Sequence, residues 1–88
     1  MTVQMTVASF AEKVKVYCES TTGNVTSWGR TPKHNKAVGG LPNSFHLTWL
    51  AVDVVYDVCP PTKKRLALAT SLGLQLVRES SHDHLEPL

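Results

Sequence analysis

Cysteine is scarce in this sequence. Cys18 and Cys59 are its two cysteines in 88 residues, and they form no CxxC pair. That excludes a disulfide framework. The two could pair, but the expectation is that they are free and buried in a reducing compartment. Charge of one sign is lacking too. The net charge is +2 and the basic residues are scattered, which argues against a nucleic-acid partner. The longest basic run, Lys63-Lys64-Arg65, reads as the solvated face of a helix. No window approaches the roughly 20 apolar residues that a spanning helix needs, so membrane insertion is not expected. Met1 to Phe10 has neither the basic stretch nor the long apolar core of a secretory signal. Synthesis in the cytoplasm without a leader is therefore expected, and action outside the cell would need a separate export or lysis step. Internal repeats and low-complexity segments are absent as well.

What is present suits one small globular domain over residues 1–88, with hydrophobic residues at 42%. A core that size is thin, and a bound metal would add useful stabilisation. Val7, Phe10, Ala11, Val14, Tyr17 and Cys18 recur at helical spacing and predict an amphipathic first helix. Ser9 to Glu12 fits a capping box, and Thr6 is an earlier alternative start. Thr21 to Asn24 ends the helix in a turn, and Asn24 to Trp28 reads as a short strand. Thr31 to Asn43 reads as a structured loop with room for one helical turn near His34 to Val38.

The clearest strand is Leu50 to Val58. Leu50, Val52, Val54, Tyr56 and Val58 should line its core face, and Ala51, Asp53, Val55 and Asp57 the other. Pro60-Pro61-Thr62 opens a second helix, with Leu66, Ala69 and Thr70 on its packing side and Leu72-Gly73 at its end. Leu74 to Glu79 and His82 to Glu86 complete the pattern as strands. The expected class is a small α+β domain with two helices and a mostly antiparallel sheet.

Against this background one cluster carries chemistry. Ser44-Phe45-His46 is followed by Asp53, and the pair is answered near the C-terminus by His82-Asp83-His84. Imidazole, carboxylate and imidazole are a common ligand set for a hydrolytic zinc. Three protein ligands leave a fourth position for water, which favours a catalytic over a structural site.

The segment from Ser44 to Asp53 resembles the SxHxxGxAxD signature of the zinc D-alanyl-D-alanine metallopeptidases. Thr26 to Asn35 resembles that family's TSGYRTPxHN segment, Ala37 to Ser44 its AVGGxxNS linker, and Ser81 to Glu86 its closing DHxHxE segment. The motifs fall in the right order over nearly the whole chain. The resemblance implies a zinc cleft within the α+β domain, in the wider group that includes lysostaphin-type enzymes and hedgehog domains. It implies that His46, Asp53 and His84 are the zinc ligands and that Arg30 polarises the substrate carbonyl and stabilises the oxyanion. It also implies a bacterial cell-wall peptide as substrate, with carboxypeptidases, dipeptidases and phage endolysins among the relatives.

Two positions depart from the pattern. The acidic residue usual three positions before the last ligand is replaced by Ser81. Glu79 is the nearest upstream carboxylate and could act as base if the strand bulges there, and His82 could assist proton transfer. In an extended strand His82 and His84 share a face. Asp83 would then point away, as a solvated carboxylate. The family's usual glycine is replaced by Trp49, which either crowds the cleft or offers a stacking platform, and Trp28 could line the same cleft. The resemblance implies a Zn²⁺-dependent peptidase acting on peptidoglycan stem peptides, as D-Ala-D-Ala carboxypeptidase or L-Ala-D-Glu endopeptidase, of phage or bacterial origin. Two competitors stand beside it: a non-catalytic zinc-containing module that binds wall peptide or protein, and a metal-free α+β domain. The oligomeric state stays open.

Overall fold

The computed structural model describes residues 5–29, 31–40 and 48–88. Its elements run α1 (Val7–Thr21), β1 (Gly23–Ser27), α2 (Pro32–Ala37), β2 (Val52–Tyr56), α3 (Thr62–Ser71), β3 (Leu74–Arg78) and β4 (Asp83–Pro87). The four strands form one sheet in the order β1-β2-β4-β3, with every neighbouring pair antiparallel. The expected α+β class and antiparallel sheet hold. The structure adds a third helix, α2, where one helical turn was expected in a loop.

Thr6 is the N-cap of α1. Its hydroxyl accepts the Ser9 amide at 3.0 Å, so the earlier of the two possible starts is used. The Thr31 hydroxyl caps α2 in the same way by accepting the His34 amide, with Pro32 at the first position. α1 ends at Thr22, which adopts a left-handed conformation with φ 57°. That β-branched residue is held there by two bonds to Val58: its hydroxyl donates to the carbonyl at 3.1 Å and accepts the amide at 3.2 Å. α3 ends as its sequence predicts, at Leu72 followed by Gly73 with φ 75°.

Phe10, Val14 and Tyr17 from α1 pack with Val52 and Val54 of β2, Ala69 of α3, Leu74 of β3 and Leu85 of β4. Helices α1 and α3 therefore cover one face of the sheet. Strand alternation sends the intervening residues to the opposite face. The expected core face of the central strand holds for Val52 and Val54, with Leu50 and Tyr56 packed at its margin. Val58 is 76% exposed, because the strand stops at Tyr56. Ala51, expected on the outer face, is buried just before the strand begins. On α3 the packing side is shifted from expectation: Arg65 and Ala69 are buried, whereas Leu66 and Thr70 are exposed.

Two charge assignments need correction. Asp83 is not solvated; it is 0% exposed. Arg65 does not belong to a solvated face either, because it is buried against Asp83 while Lys63 and Lys64 are exposed. The Arg65 guanidinium ion-pairs with Asp83 Oδ2, donates from Nε to the Pro60 carbonyl at 2.8 Å and lies over the Tyr56 ring at 5.4 Å. Tyr56 donates to Asp83 Oδ2 at 2.5 Å and is itself hydrogen-bonded to the Tyr17 hydroxyl at 2.6 Å. Arg78 reaches Asp83 Oδ1 at 3.3 Å. Burial, and then the bond to Asp83, push the Tyr56 phenol far above its ordinary pKa. Alternation did turn Asp83 away from its histidine neighbours, but β4 is a central strand. Its far face meets the helices rather than water, and cations from α3 and β3 neutralise the carboxylate there.

Both cysteines are free, as expected. Cys18 is half-buried, and burial raises its thiol pKa. Cys59 is exposed, contrary to the expectation that both are buried.

Candidate metal centre

The two central strands, β2 and β4, build the site by register. Asp53 pairs directly with His84 across the ladder, flanked by Val52 with Leu85 and Val54 with Asp83. Val52, Val54, Asp83 and Leu85 face the helices, so Asp53 and His84 lie side by side on the opposite face. Their side chains meet, with His84 Nδ1 at 3.3 Å from Asp53 Oδ1. His82 stands just before β4 and turns its ring to the same oxygen, Nε2 to Oδ1 at 3.6 Å. Both rings thus reach the same carboxylate oxygen of Asp53.

The other side of the His84 ring is also occupied. Nε2 lies 2.9 Å from Glu86 Oε2. The hydrogen bond to Asp53 raises the His84 pKa, burial pulls against that rise, and Glu86 adds to it. Glu86 is a residue that motif matching missed as a participant. The signal was available in His84-Leu85-Glu86, because alternate residues of a strand share a face.

Glu79 is tied to the site through its backbone. Its amide donates to the His82 carbonyl at 2.8 Å and closes the turn between β3 and β4. Its side chain is exposed. Among the described residues no hydrogen bond or ion pair joins the Glu79 carboxylate to Asp53, His82 or His84. Ser81 Oγ lies 3.2 Å from His82 Nδ1. Asp57, farther along β2, is exposed and accepts a hydrogen bond from Asn24 at 3.0 Å.

The two tryptophans clasp each other. Trp28 Nε1 donates to the Trp49 carbonyl at 2.9 Å, and the Trp28 ring meets Phe10 edge-on at 6.2 Å. Trp28 thus packs on the core. Trp49 is 50% exposed, and its indole lies so close over Gly29 that a Cβ there would fall inside the ring. Its backbone is left-handed, φ 62°. This is the position at which the resemblance expects glycine, and the backbone keeps the path a glycine would take without strain.

His46 and Arg30, expected as ligand and oxyanion residue, lie outside the described residues, as do Asn43 and Ser44. Among the described residues no group of three or more His, Cys, Asp or Glu side chains forms a metal-holding cluster. The donors that are described nevertheless fit zinc chemically: a carboxylate and an imidazole directly opposed, and a second imidazole on the same carboxylate oxygen.

The sequence matches the family described as Peptidase M15 over residues 4–85. Comparison with curated proteins and with solved structures gave no significant match. The match spans both the Asp53 strand and the His82-to-His84 segment, so the residues that meet on the face away from the helices fall within the matched region. The chain belongs to the peptidase M15 family, the zinc D-alanyl-D-alanine metallopeptidases that its motifs resemble.

Proposed function

We propose that this chain forms a zinc peptidase domain that hydrolyses an amide bond in peptidoglycan stem peptides, acting at the bacterial cell wall and of phage or bacterial origin. The observation that carries the reading is the direct pairing of Asp53 with His84 on the sheet face away from α1 and α3. Two motif residues that lie far apart in sequence meet there with the right chemistry to share a cation.

His46, Asp53 and His84 would hold the metal. When bound, zinc supplies Lewis acidity and an acidified water at neutral pH. The chain's own residues do the rest. Arg30 binds the carbonyl oxygen of the scissile amide and steadies the negative charge that develops there. His82, with Nε2 turned to the Asp53 carboxylate, is placed to carry a proton between water and leaving amine. Glu79 is the alternative proton carrier, and would have to swing inward from its exposed position. The substrate approaches the sheet face opposite α1 and α3, as an extended stem peptide in a cleft over β2 and β4.

The test is mass spectrometry of a defined muropeptide digest, with and without a chelator. A new amine terminus that appears only with metal, and that disappears in Arg30→Ala while bound zinc is retained, supports the peptidase. The exposed Glu79 carboxylate favours one second reading, a zinc-containing module that binds wall peptide without cutting it. Retention of intact muropeptide by zinc-loaded protein, with no new terminus, would select that reading.

A further inference from the structure

We propose that Glu86 is a positioning residue for the metal. Its carboxylate accepts a hydrogen bond from the Nε2–H of His84 and so presents Nδ1, beside Asp53, as the metal-binding nitrogen. This rests on the zinc reading above and assigns a role to a residue outside the ligand set.

The His84 ring lies between two carboxylates. Nε2 is 2.9 Å from Glu86 Oε2 and Nδ1 is 3.3 Å from Asp53 Oδ1. A neutral imidazole carries one N–H, and the shorter contact is the better place for it. Glu86 and His84 are both largely shielded from water, with side chains 23% and 17% exposed, so solvent competes weakly for that proton. The Nδ1 lone pair then faces Asp53 Oδ1. Two electron-rich atoms at that separation call for a cation between them. Asp53 is also approached by His82, at 3.6 Å, which marks it as the shared centre of the cluster. Glu86 sits at the outer side of the ring, two residues along the same strand, where it sets the tautomer and the ring angle. Metal-binding histidines commonly donate their second nitrogen to a carboxylate in this way, and losing that partner weakens metal binding about 10–100-fold.

The experiment is competition between the metal-free protein and a chromophoric chelator for Zn²⁺. Glu86→Ala should bind zinc about 10–100-fold more weakly than wild type. Glu86→Gln keeps an acceptor oxygen and should stay within about threefold. Gln75→Ala, which alters the cross-strand neighbour of Glu86, should leave affinity unchanged. Long-range proton–nitrogen NMR of the zinc-loaded wild type should place the His84 ring proton on Nε2. Melting curves of each metal-free variant report folding separately. Wild-type affinity in Glu86→Ala would overturn the proposal. So would equal losses in Glu86→Gln and Glu86→Ala, which would make Glu86 a ligand or a bulk charge, and so would a proton on Nδ1. A wild type that takes up no zinc would overturn the metal reading itself. Zinc uptake with no effect of Glu86 would overturn only this assignment.

Discussion

Trp49 allows backbone strain to be separated from packing. Its indole is 50% exposed and its φ is 62°. A Trp side chain offers roughly 200 Å² of apolar surface, so about 100 Å² is buried here, worth about 2.5 kcal/mol at ~25 cal/mol per Å². The left-handed backbone costs a non-glycine residue about 1–2 kcal/mol. Trp49→Ala loses the packing and keeps the strain, and should destabilise by about 2 kcal/mol. Trp49→Gly loses the packing and relieves the strain, and should destabilise by only about 1 kcal/mol. At most positions glycine is the worse of the two, because its unfolded chain is freer; here the order should reverse. Gly29 gives the complementary test. Its own φ is not left-handed, so it tolerates alanine conformationally, but the new Cβ would fall within the Trp49 ring. Gly29→Ala should therefore cost about 2–3 kcal/mol alone and little in a Trp49→Gly background, a coupling of about 2 kcal/mol. Urea melts of wild type and the four variants measure this. Additive effects, or an alanine variant at least as stable as the glycine variant at Trp49, would refute the reasoning.

Three further outcomes follow from the same structure. Asp83→Asn keeps the shape but leaves Arg65 buried without its counter-charge, and should cost about 3–5 kcal/mol in denaturant titration; a loss under about 1 kcal/mol would mean that the ion pair is not buried as described. In metal-free protein the His84 ring should titrate above the ordinary histidine value, because Asp53 and then Glu86 favour its charged form over the effect of burial. A raised pKa of this kind contributes stability that is fully present below the unfolded value of about 6.5 and is lost as pH rises through the folded value. The His84 Hε1 shift followed by NMR checks it, and a midpoint at or below 6.5 contradicts it. Free zinc at about 100 times its dissociation constant should raise the melting temperature by roughly 10–20 °C. His46→Ala and Asp53→Ala should abolish that shift, as calorimetry with and without chelator would show.

Much of the framework was legible from local pattern. Alternation in Val52 to Tyr56 placed Asp53 off the core face, and helical spacing placed Phe10, Val14 and Tyr17 on it. The motif order brought out the family, which the match over residues 4–85 bears out. What the pattern did not contain was pairing. Nothing in β2 or β4 alone states that Asp53 stands opposite His84, because register is set jointly by both strands and by their neighbours. Asp83 was misread for the same reason. Its direction was correct, but whether that direction leads to water or to Arg65 depends on a helix contributed by another part of the chain. The packing side of α3 was misjudged because Arg65 sits within a basic run. A guanidinium with a long apolar stem and a buried carboxylate partner occupies a core position that apolar spacing does not announce.

The two faces of β4 explain why such a small domain can present a site at all. On the helix face, Asp83 draws Tyr56 from β2, Arg65 from α3 and Arg78 from β3 to one carboxylate, with Tyr17 from α1 behind them. On the opposite face, the next residue along the chain is His84. A strand cannot shift by one residue without exchanging these two faces. Such a slip would bring Asp83 out of its ion pair and carry His84 into the apolar layer. The buried ion pair therefore fixes the register that sets His84 opposite Asp53. Buried ionic groups are weak contributors to net stability but effective at selecting one arrangement over its neighbours. In this chain the arrangement selected is the one that sets His84 against Asp53.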